Sequence, residues 1–295
     1  MMKTAIVGAG GQLGRAFTTL LGDRALGLLR SDLDLTGPAE LLRKLAALSP
    51  GRVINCSAYN LVDKAEAEPE AAFAVNAWGV RSLAIACREL SIPLVHFSTD
   101  YVFGRDGDRQ TPFGEADAPG PVSAYGLSKL TGECWALQTS DANLAIRTCG
   151  LYGLRGAGGK GGNFVDTMLR VAGEGKPLRV VADQRCTPSF VADVARATLQ
   201  LIDRNESGLF HLTNSGDCSW YEFAGAIFAA ADISPSLTAI SSAEYPTAAR
   251  RPRYSVLSNA RAIAAGVAPL RDWREAVAEY VAKKRQASYT AHGQW

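Results

Sequence analysis

The chain alternates between short apolar runs and longer stretches in which apolar residues recur every three to four positions. Residues 3–7 form the first apolar run. Gly8 to Gly14 is a glycine-rich turn, and residues 15–21 continue with helical spacing. The pattern predicts strand, turn and helix. Residues 25–30 read as a second strand. A helix opened by Thr36-Gly37-Pro38 runs through Leu48 and stops at Pro50-Gly51. Residues 52–58 are the next strand, residues 71–90 a long helix ending before Pro93, and residues 94–98 a fourth strand. A polar, turn-rich loop then lasts from Tyr101-Val102-Phe103 to Pro121, and loops of that length in compact domains are often functional. Residues 122–138 return to a helical period, and residues 143–147 are a further strand. The alternation predicts an α/β fold, a Rossmann-type doubly wound parallel sheet with helices on both faces.

The character changes near residue 150. The run from Gly153 to Gly162 is dense in glycine and reads as either a flexible linker or a mobile loop over a ligand. Beyond it the pattern predicts a helix over 164–173, a strand over 178–181, a helix over 191–202, a strand over 208–212, a helix over 220–231 and a final amphipathic helix over 273–284. No internal repeat is visible. We expect a dinucleotide-binding domain over residues 1–150 and a smaller mixed α/β C-terminal lobe over 151–295, mainly for substrate. A helix near 190–203 is expected to pack back on the first domain.

Composition narrows the class. The 295 residues carry 31 basic and 29 acidic side chains, a net charge of +2. That balance argues against nucleic acid and membrane surfaces as partners, which call for a basic excess. Six cysteines (56, 87, 134, 149, 186 and 218) show no C-x-x-C spacing, so no metal site is expected and buried reduced thiols are the reading for several of them. No signal peptide precedes the first apolar run and no uninterrupted apolar stretch approaches membrane-spanning length, so we expect a cytoplasmic protein.

Two motifs carry chemistry. Gly8-Ala9-Gly10-Gly11-Gln12-Leu13-Gly14 sits between a strand and a helix, where glycines permit a tight turn and a pyrophosphate can meet the free N–H groups of the helix start. Arg30, ending the second strand, suits the 2′-phosphate of NADPH. Asp32, 18 residues after Gly14, suits the ribose of NADH. NADPH is the favoured reading, with NADH possible. The second motif is Tyr125-Gly126-Leu127-Ser128-Lys129. On a helix its Tyr and Lys share a face. An ammonium near a phenol favours the phenolate and makes the tyrosine an acid or base. A hydroxyl from Ser98 or Thr99 would hold the reacting oxygen. His96 and His211 lie in apolar strands and read as satisfied core histidines; Trp220 and Trp273 read as core.

With these segments in place, the chain resembles the extended short-chain dehydrogenase/reductases and, among them, the dTDP-4-dehydrorhamnose reductase family. The likeness spans residues 3 to 282. It rests on Val62-Asp63-Lys64-Ala65-Glu66 with Glu68-Pro69-Glu70, Ser98-Thr99-Asp100-Tyr101-Val102-Phe103, Tyr125 to Lys129 with Gly132-Glu133, Gly162-Asn163-Phe164, Asp183-Gln184 and Ala249-Arg250-Arg251-Pro252. The resemblance implies NAD(P)H, a nucleotide-sugar substrate and reduction of a 4-keto group. It places the catalytic hydroxyl at Thr99, the proton donor at Tyr125 and the lysine at Lys129. Gly11, Gln12 and Leu13 would meet the pyrophosphate, Asp34-Leu35 the adenine, and Ala58-Tyr59-Asn60 would line the cofactor. Thr99, Asp100, Gly150, Asn163, Gln184 and Arg250 fall on the substrate side, with Arg251 and Lys160 as further candidates for the diphosphate. Each of these three cations has the alternative of a solvated surface charge, and Asp100 that of a turn or cap residue.

The sequence departs from the family in three places. Asn60 replaces a usual threonine. Arg147-Thr148-Cys149-Gly150 replaces R-T-S-W, whose tryptophan lines the substrate pocket. Cys186-Thr187-Pro188 replaces a run of smaller residues. The second departure opens the choice of sugar and keeps alive another nucleotide-sugar ketoreductase or epimerase of the superfamily. A rival of another class is an NADP-binding regulatory subunit, such as the β subunit of methionine adenosyltransferase. The run from Val62 to Glu66 reads as an ion-paired helix entrance, with a subunit or metal contact as the alternative. Mg2+ dependence and the choice between monomer and homodimer are left open by the sequence.

Overall fold

The computed structural model describes residues 2–154 and 162–292, with side chains described to residue 287. Six parallel strands form the central sheet. They are β1 (Thr4–Val7), β2 (Ala25–Leu28), β3 (Arg52–Asn55), β4 (Leu94–Thr99), β5 (Leu144–Thr148) and an edge strand, Gly208–His211. The spatial order is β2, β1, β3, β4, β5 and the edge strand. Every residue of β4 is buried, as expected of a central parallel strand covered on both faces.

The two-residue period of the strands divides the core. Ala5, Val7 and Val53 join a cluster with Leu41, Leu45, Leu83 and Leu94, under the helices Pro38–Leu48 and Val80–Glu89. Ile6, Ile54, Phe97 and Ile146 face the other way, toward Phe17, Val194 and Phe210. There the helix Val191–Asp203 packs on the helix Gln12–Leu21. That second cluster runs on without a break into Phe223, Trp273 and Tyr280 of the C-terminal half. The two halves therefore share apolar packing.

The helical stretch predicted over 71–90 has a feature that periodicity did not reveal. Between the helices Pro69–Phe73 and Val80–Glu89 lies a π-helical segment, Ala74–Gly79. The helix Ala124–Thr139 meets it backbone to backbone. A Cβ on Gly132 would lie 2.0 Å from the Asn76 carbonyl oxygen, so only glycine permits that approach. Irregular helical turns of this kind recur at functional sites.

Three short strand pairs shape the C-terminal half: Leu178–Val181 with Leu237–Ile240, Arg185–Cys186 with Cys218–Ser219, and Leu151–Tyr152 with Ser189–Phe190. Two-residue strands leave no periodic trace, so the last two pairs are not legible from hydrophobic spacing. The helices Phe164–Gly173, Trp220–Ala231 and Trp273–His292 complete this half. The long loop after Phe103 is tied down: Phe113 stacks on Phe103 at 4.0 Å, and Arg109 lies over Phe113 at 4.1 Å. Cys87, Cys149, Cys186 and Cys218 are buried thiols, whereas Cys134 is exposed. Among the described residues no helix is long and apolar enough to cross a membrane.

Candidate active site

The sheet order reverses between β1 and β3, because the chain leaves β1 toward β2 and returns on the other side. Loops at the carboxyl ends of strands part at such a switch point and leave a crevice. The glycine turn lies there. A Cβ on Gly14 would fall 2.3 Å from the Gly8 carbonyl oxygen, and one on Gly8 would fall 2.8 Å from the Ser57 amide nitrogen. These two glycines let the helix start pack directly on the turn and on the loop after β3. Gly11 differs. A Cβ there would make only ordinary contact, at 3.4 Å from Gly8, so its bare backbone faces room that the protein does not fill. Gly11 caps the helix Gln12–Leu21 with no side-chain hydrogen bond, and no acidic residue lies in the first turn. The outward N–H groups and the positive end of the helix dipole suit an anion. Leu13 itself is buried, so only its backbone is available for such a contact.

In the loop after β2, Arg30 stays 81% exposed, 3.6 Å from Asp34. Asp34 accepts hydrogen bonds from the backbone and hydroxyl of Thr36, which hold its carboxyl below the usual range. Leu35 is buried against Gly79. Asp32 turns back on its own loop and accepts from the Leu29 amide at 2.8 Å. After β3, the Tyr59 hydroxyl is buried with no partner among the described residues, a polar atom left for a ligand to satisfy.

The loop after β3 is fixed by a residue that sequence reasoning missed. Asn76, from the π segment, accepts from the Tyr59 amide at 2.8 Å and donates to the Tyr59 carbonyl at 2.9 Å and to Ser128 Oγ at 3.0 Å. Ser128 in turn donates to the Tyr125 carbonyl at 2.8 Å. One buried amide thus joins the cofactor side to the helix that carries Tyr125. Its only sequence signal was an asparagine in an otherwise apolar helical run.

Ser123 caps the helix Ala124–Thr139, accepting from the Gly126 amide, and Glu66 accepts from the Ala124 amide at 2.8 Å. The helix start is pressed on the Tyr101 carbonyl, 2.3 Å from where a Gly126 Cβ would be. Tyr125 and Tyr101 meet edge to face at 5.6 Å. Burial pushes the Tyr125 phenol up to about 12; a hydrogen bond with Thr99 opposes the rise, while Asp100 and Cys149 add to it. The expectation that Lys129 lowers this pKa does not hold here. Burial brings the Lys129 amine down to about 8, against the pull of Glu133 and Cys56. Its Nζ donates to the Phe97 carbonyl of β4 at 2.5 Å. The four-residue spacing does put Tyr125 and Lys129 on one face, but the lysine is anchored to strand backbone.

Thr99 Oγ1 donates to Asp100 at 3.2 Å and accepts from the Tyr101 amide. The neighbouring Ser98 hydroxyl is buried without a partner among the described residues. Asp100 is buried, and burial pushes its carboxyl up. Besides Thr99 it accepts from Ser255 Oγ at 2.6 Å and Cys149 Sγ at 3.1 Å. Three side-chain donors thus tie the Asp100 carboxyl to Thr99, β5 and the Ser255 loop.

Asn163 is also drawn into the framework. Its side chain caps the helix Phe164–Gly173 and donates to Gln12 Oε1 at 3.0 Å, the Gly153 carbonyl at 3.1 Å and Tyr280 at 3.1 Å. It therefore bridges the glycine turn to the C-terminal half instead of projecting toward a sugar. Gln184, 9% exposed, makes no side-chain hydrogen bond among the described residues. Its neighbour Arg185 pairs with Asp217 and Glu222. Arg250 is exposed with no ion-pair partner among the described residues, whereas Arg251 is held by Asp63 at 2.8 Å. Asp63 also accepts from the Ala249 amide. The run from Val62 to Glu66 thus ties the Arg250 segment and the Tyr125 helix together. Lys160 and most of the glycine-dense run lie outside the described residues.

The remaining sequence candidates are structural. His211 hydrogen-bonds to the Phe113 carbonyl and lies 3.4 Å from Arg147, and burial brings its pKa down to about 3. Arg147 makes a bidentate pair with the equally buried Glu133. His96 bonds Asn55 through Nδ1, but its Nε2 is buried without a partner among the described residues, so that histidine is only half satisfied. Trp273 is core at 1% exposure, whereas Trp220 is half-buried. Among the described residues there is no cluster of three or more His, Cys, Asp or Glu side chains placed to hold a metal ion.

Comparison with known proteins gives the family. Residues 2–286 match the family model described as the RmlD substrate binding domain. The chain is 42% identical to a dTDP-4-dehydrorhamnose reductase of Mycolicibacterium smegmatis, over 95% of this chain and 85% of that protein. It is 39% identical to a probable dTDP-4,6-dihydroxy-2-methyloxan-3-one 4-ketoreductase of Streptomyces antibioticus, over 94% of each. A crystal structure of dTDP-4-dehydrorhamnose reductase from Bacillus anthracis in complex with NADP superposes with a TM-score of 0.90 at 34% identity, covering 96% of this chain and all of that one.

Proposed function

Because the chain belongs to the dTDP-4-dehydrorhamnose reductase family, we propose that it reduces the 4-keto group of a dTDP-linked 6-deoxy sugar with NADPH, converting dTDP-4-dehydro-L-rhamnose to dTDP-L-rhamnose. The observation that carries this reading is the gathering of Thr99, Tyr125 and Lys129 around the end of β4, beside a helix N-terminus left free at the crevice. When bound there, the reduced nicotinamide supplies the hydride for C4 of the sugar. Gly11, Gln12 and the Leu13 backbone hold the pyrophosphate, with Gly8 and Gly14 shaping the turn. Ala58, Tyr59 and Asn60 line the crevice, and Asp34 and Leu35 border the adenine. Exposed Arg30 meets the 2′-phosphate. Asp32 accepts from the Leu29 amide through one oxygen, and the exposed Arg30 guanidinium is what supports NADPH over NADH.

Tyr125 gives its proton to O4 as negative charge develops there. A phenol held up to about 12 is protonated at neutral pH, so it is ready to act as an acid. Thr99 hydrogen-bonds the same oxygen, and the Lys129 ammonium holds the nicotinamide ribose. The Gln184 amide and the Arg250 guanidinium face the sugar and diphosphate. The test is a spectrophotometric assay with NADPH and dTDP-4-keto-6-deoxy-L-mannose. We expect NADPH oxidation, and a loss of roughly a hundredfold or more in kcat for Tyr125→Phe with unchanged NADPH affinity. A Tyr125→Phe protein as active as the parent would overturn the assignment of the proton donor. A second reading, reduction of a different dTDP-linked keto-sugar, is favoured by Gly150 and by the Streptomyces antibioticus relative. Turnover of such a sugar with none of the rhamnose precursor would select it.

A further inference from the structure

Gly150 stands where the family resemblance leads one to expect a pocket tryptophan, and its surroundings show what takes that tryptophan's place. The position borders the reacting end of the site. It lies two residues beyond Thr148, which pairs in register with Thr99, and directly after Cys149, which donates to Asp100. Its backbone is left-handed, with φ of +52°, and a Cβ there would lie 3.1 Å from the Pro188 Cα. A side chain at 150 is thus both strained and crowded by backbone at its first carbon. The next nearest atom is Cη2 of Trp220, at 3.6 Å, an ordinary van der Waals contact.

We propose that Trp220, carried by the C-terminal half, is the aromatic wall of the sugar subsite, packing on the apolar C–H and methyl face of the 6-deoxyhexose. The proposal rests on the reductase reading and assigns it a specificity residue. Trp220 opens the helix Trp220–Ala231, which Ser219 and Glu222 cap reciprocally. Glu222 also pairs with Arg185, and the strand Arg185–Cys186 pairs with Cys218–Ser219. Trp220 therefore stands one residue beyond a ribbon whose other strand begins directly after Gln184. The indole is braced by Phe164 at 4.8 Å and Phe223 at 6.3 Å between ring centres. Trp273, by contrast, is sealed in the core. A braced, half-exposed indole beside a bare glycine presents a fixed apolar surface, which a deoxy sugar can cover with little loss of side-chain freedom.

The test uses Trp220→Leu, which keeps an apolar side chain without the flat ring, and Trp220→Phe, which keeps a smaller ring. In steady-state assays with NADPH we expect Trp220→Leu to raise the keto-sugar KM roughly tenfold, the scale of one aromatic packing contact. Its NADPH KM and melting temperature should stay near the parent values, and Trp220→Phe should lie within about threefold of the parent on that scale. A Trp220→Leu protein with an unchanged keto-sugar KM overturns the proposal. So does one in which NADPH KM, keto-sugar KM and melting temperature all worsen together, since that marks a structural brace. If the parent protein reduces no dTDP-linked keto-sugar, the reductase reading fails by itself. Calorimetric titration of parent and Trp220→Leu with dTDP-L-rhamnose then still reads the wall: tighter binding to the parent supports it, and equal or absent binding overturns it.

Discussion

At the crevice between β1 and β3, the contacts that shape the site are backbone against backbone: Gly14 on Gly8, Gly8 on Ser57, and a helix start left uncapped. At the wall where the sugar is placed, they are side chain against side chain. Asp100 gathers Thr99, Cys149 and Ser255, while Trp220 leans on Phe164 and over Gly150. Five segments far apart in sequence meet in that wall. The first region tolerates almost no change of shape, because backbone cannot step aside. The second can exchange one residue for another from a different segment, as Trp220 beside Gly150 illustrates. Within one fold, the cofactor end is thus geometrically fixed, and the substrate end is where a family can diverge.

This contrast breaks if its glycines prove interchangeable. Gly14→Ala places a methyl group 2.3 Å from a carbonyl oxygen and 2.8 Å from the Ala9 Cα, so the turn must move. We expect a loss of about 1–3 kcal/mol in stability, the usual scale of overpacking, together with a fall of roughly a hundredfold in NADPH affinity. Gly11→Ala meets only ordinary contact within the protein. Its melting temperature should match the parent, while NADPH affinity falls roughly tenfold because the methyl intrudes on the approaching pyrophosphate. Thermal melts beside NADPH fluorescence titrations separate the two. Equal behaviour in both assays would remove the distinction between a glycine that the protein fills and one that the ligand needs.

The next effect concerns charge. Burial brings the Lys129 amine down to about 8 and holds the Tyr125 phenol up to about 12. A lysine with a lowered pKa is charged below that value and neutral above it. If the ammonium is what holds the cofactor, kcat/KM for NADPH is flat below pH 8 and falls about tenfold per unit above it. Tyr125, protonated throughout that range, adds no limb. Lys129→Met should lower activity and abolish the limb. A profile that stays flat to pH 10 would mean that the amine is better solvated in solution than its position against the Phe97 carbonyl implies.

The same contrast explains what could be read from the chain before its fold was known. The glycine turn, the strand and helix order and the Tyr125–Lys129 pair are local patterns with fixed spacing, and each has its place in the structure. The long-range partners had no such trace. Asn76 looked like a polar interruption in a helix, and its role follows from a π segment pressed on Gly132, 56 residues later. Asp100 and Asn163 stand out in the sequence as polar residues, but the protein atoms that partner them, Ser255 and Gln12 among them, come from distant segments that no local pattern reveals. Spacing predicts that Tyr125 and Lys129 share a helix face, but not the direction of the pKa shift at Tyr125, because burial depends on everything packed around it.

The smallest effect separates two adjacent arginines. Arg251 is bound by Asp63, whose side chain is 48% exposed, so the pair should contribute about 1 kcal/mol or less. Arg250 has no such tie among the described residues and remains exposed. Arg250→Ala should therefore raise the keto-sugar KM severalfold without moving the melting temperature, as removal of one charged contact to a diphosphate would. Arg251→Ala should do the reverse, with a small loss of stability and a slight change in KM. Asp63→Ala should cost somewhat more, because it also removes the acceptor of the Ala249 amide, and the double variant should cost less than the sum of the two single changes, because they share one interaction. Strict additivity in that cycle would show that the Asp63–Arg251 pair holds nothing in place.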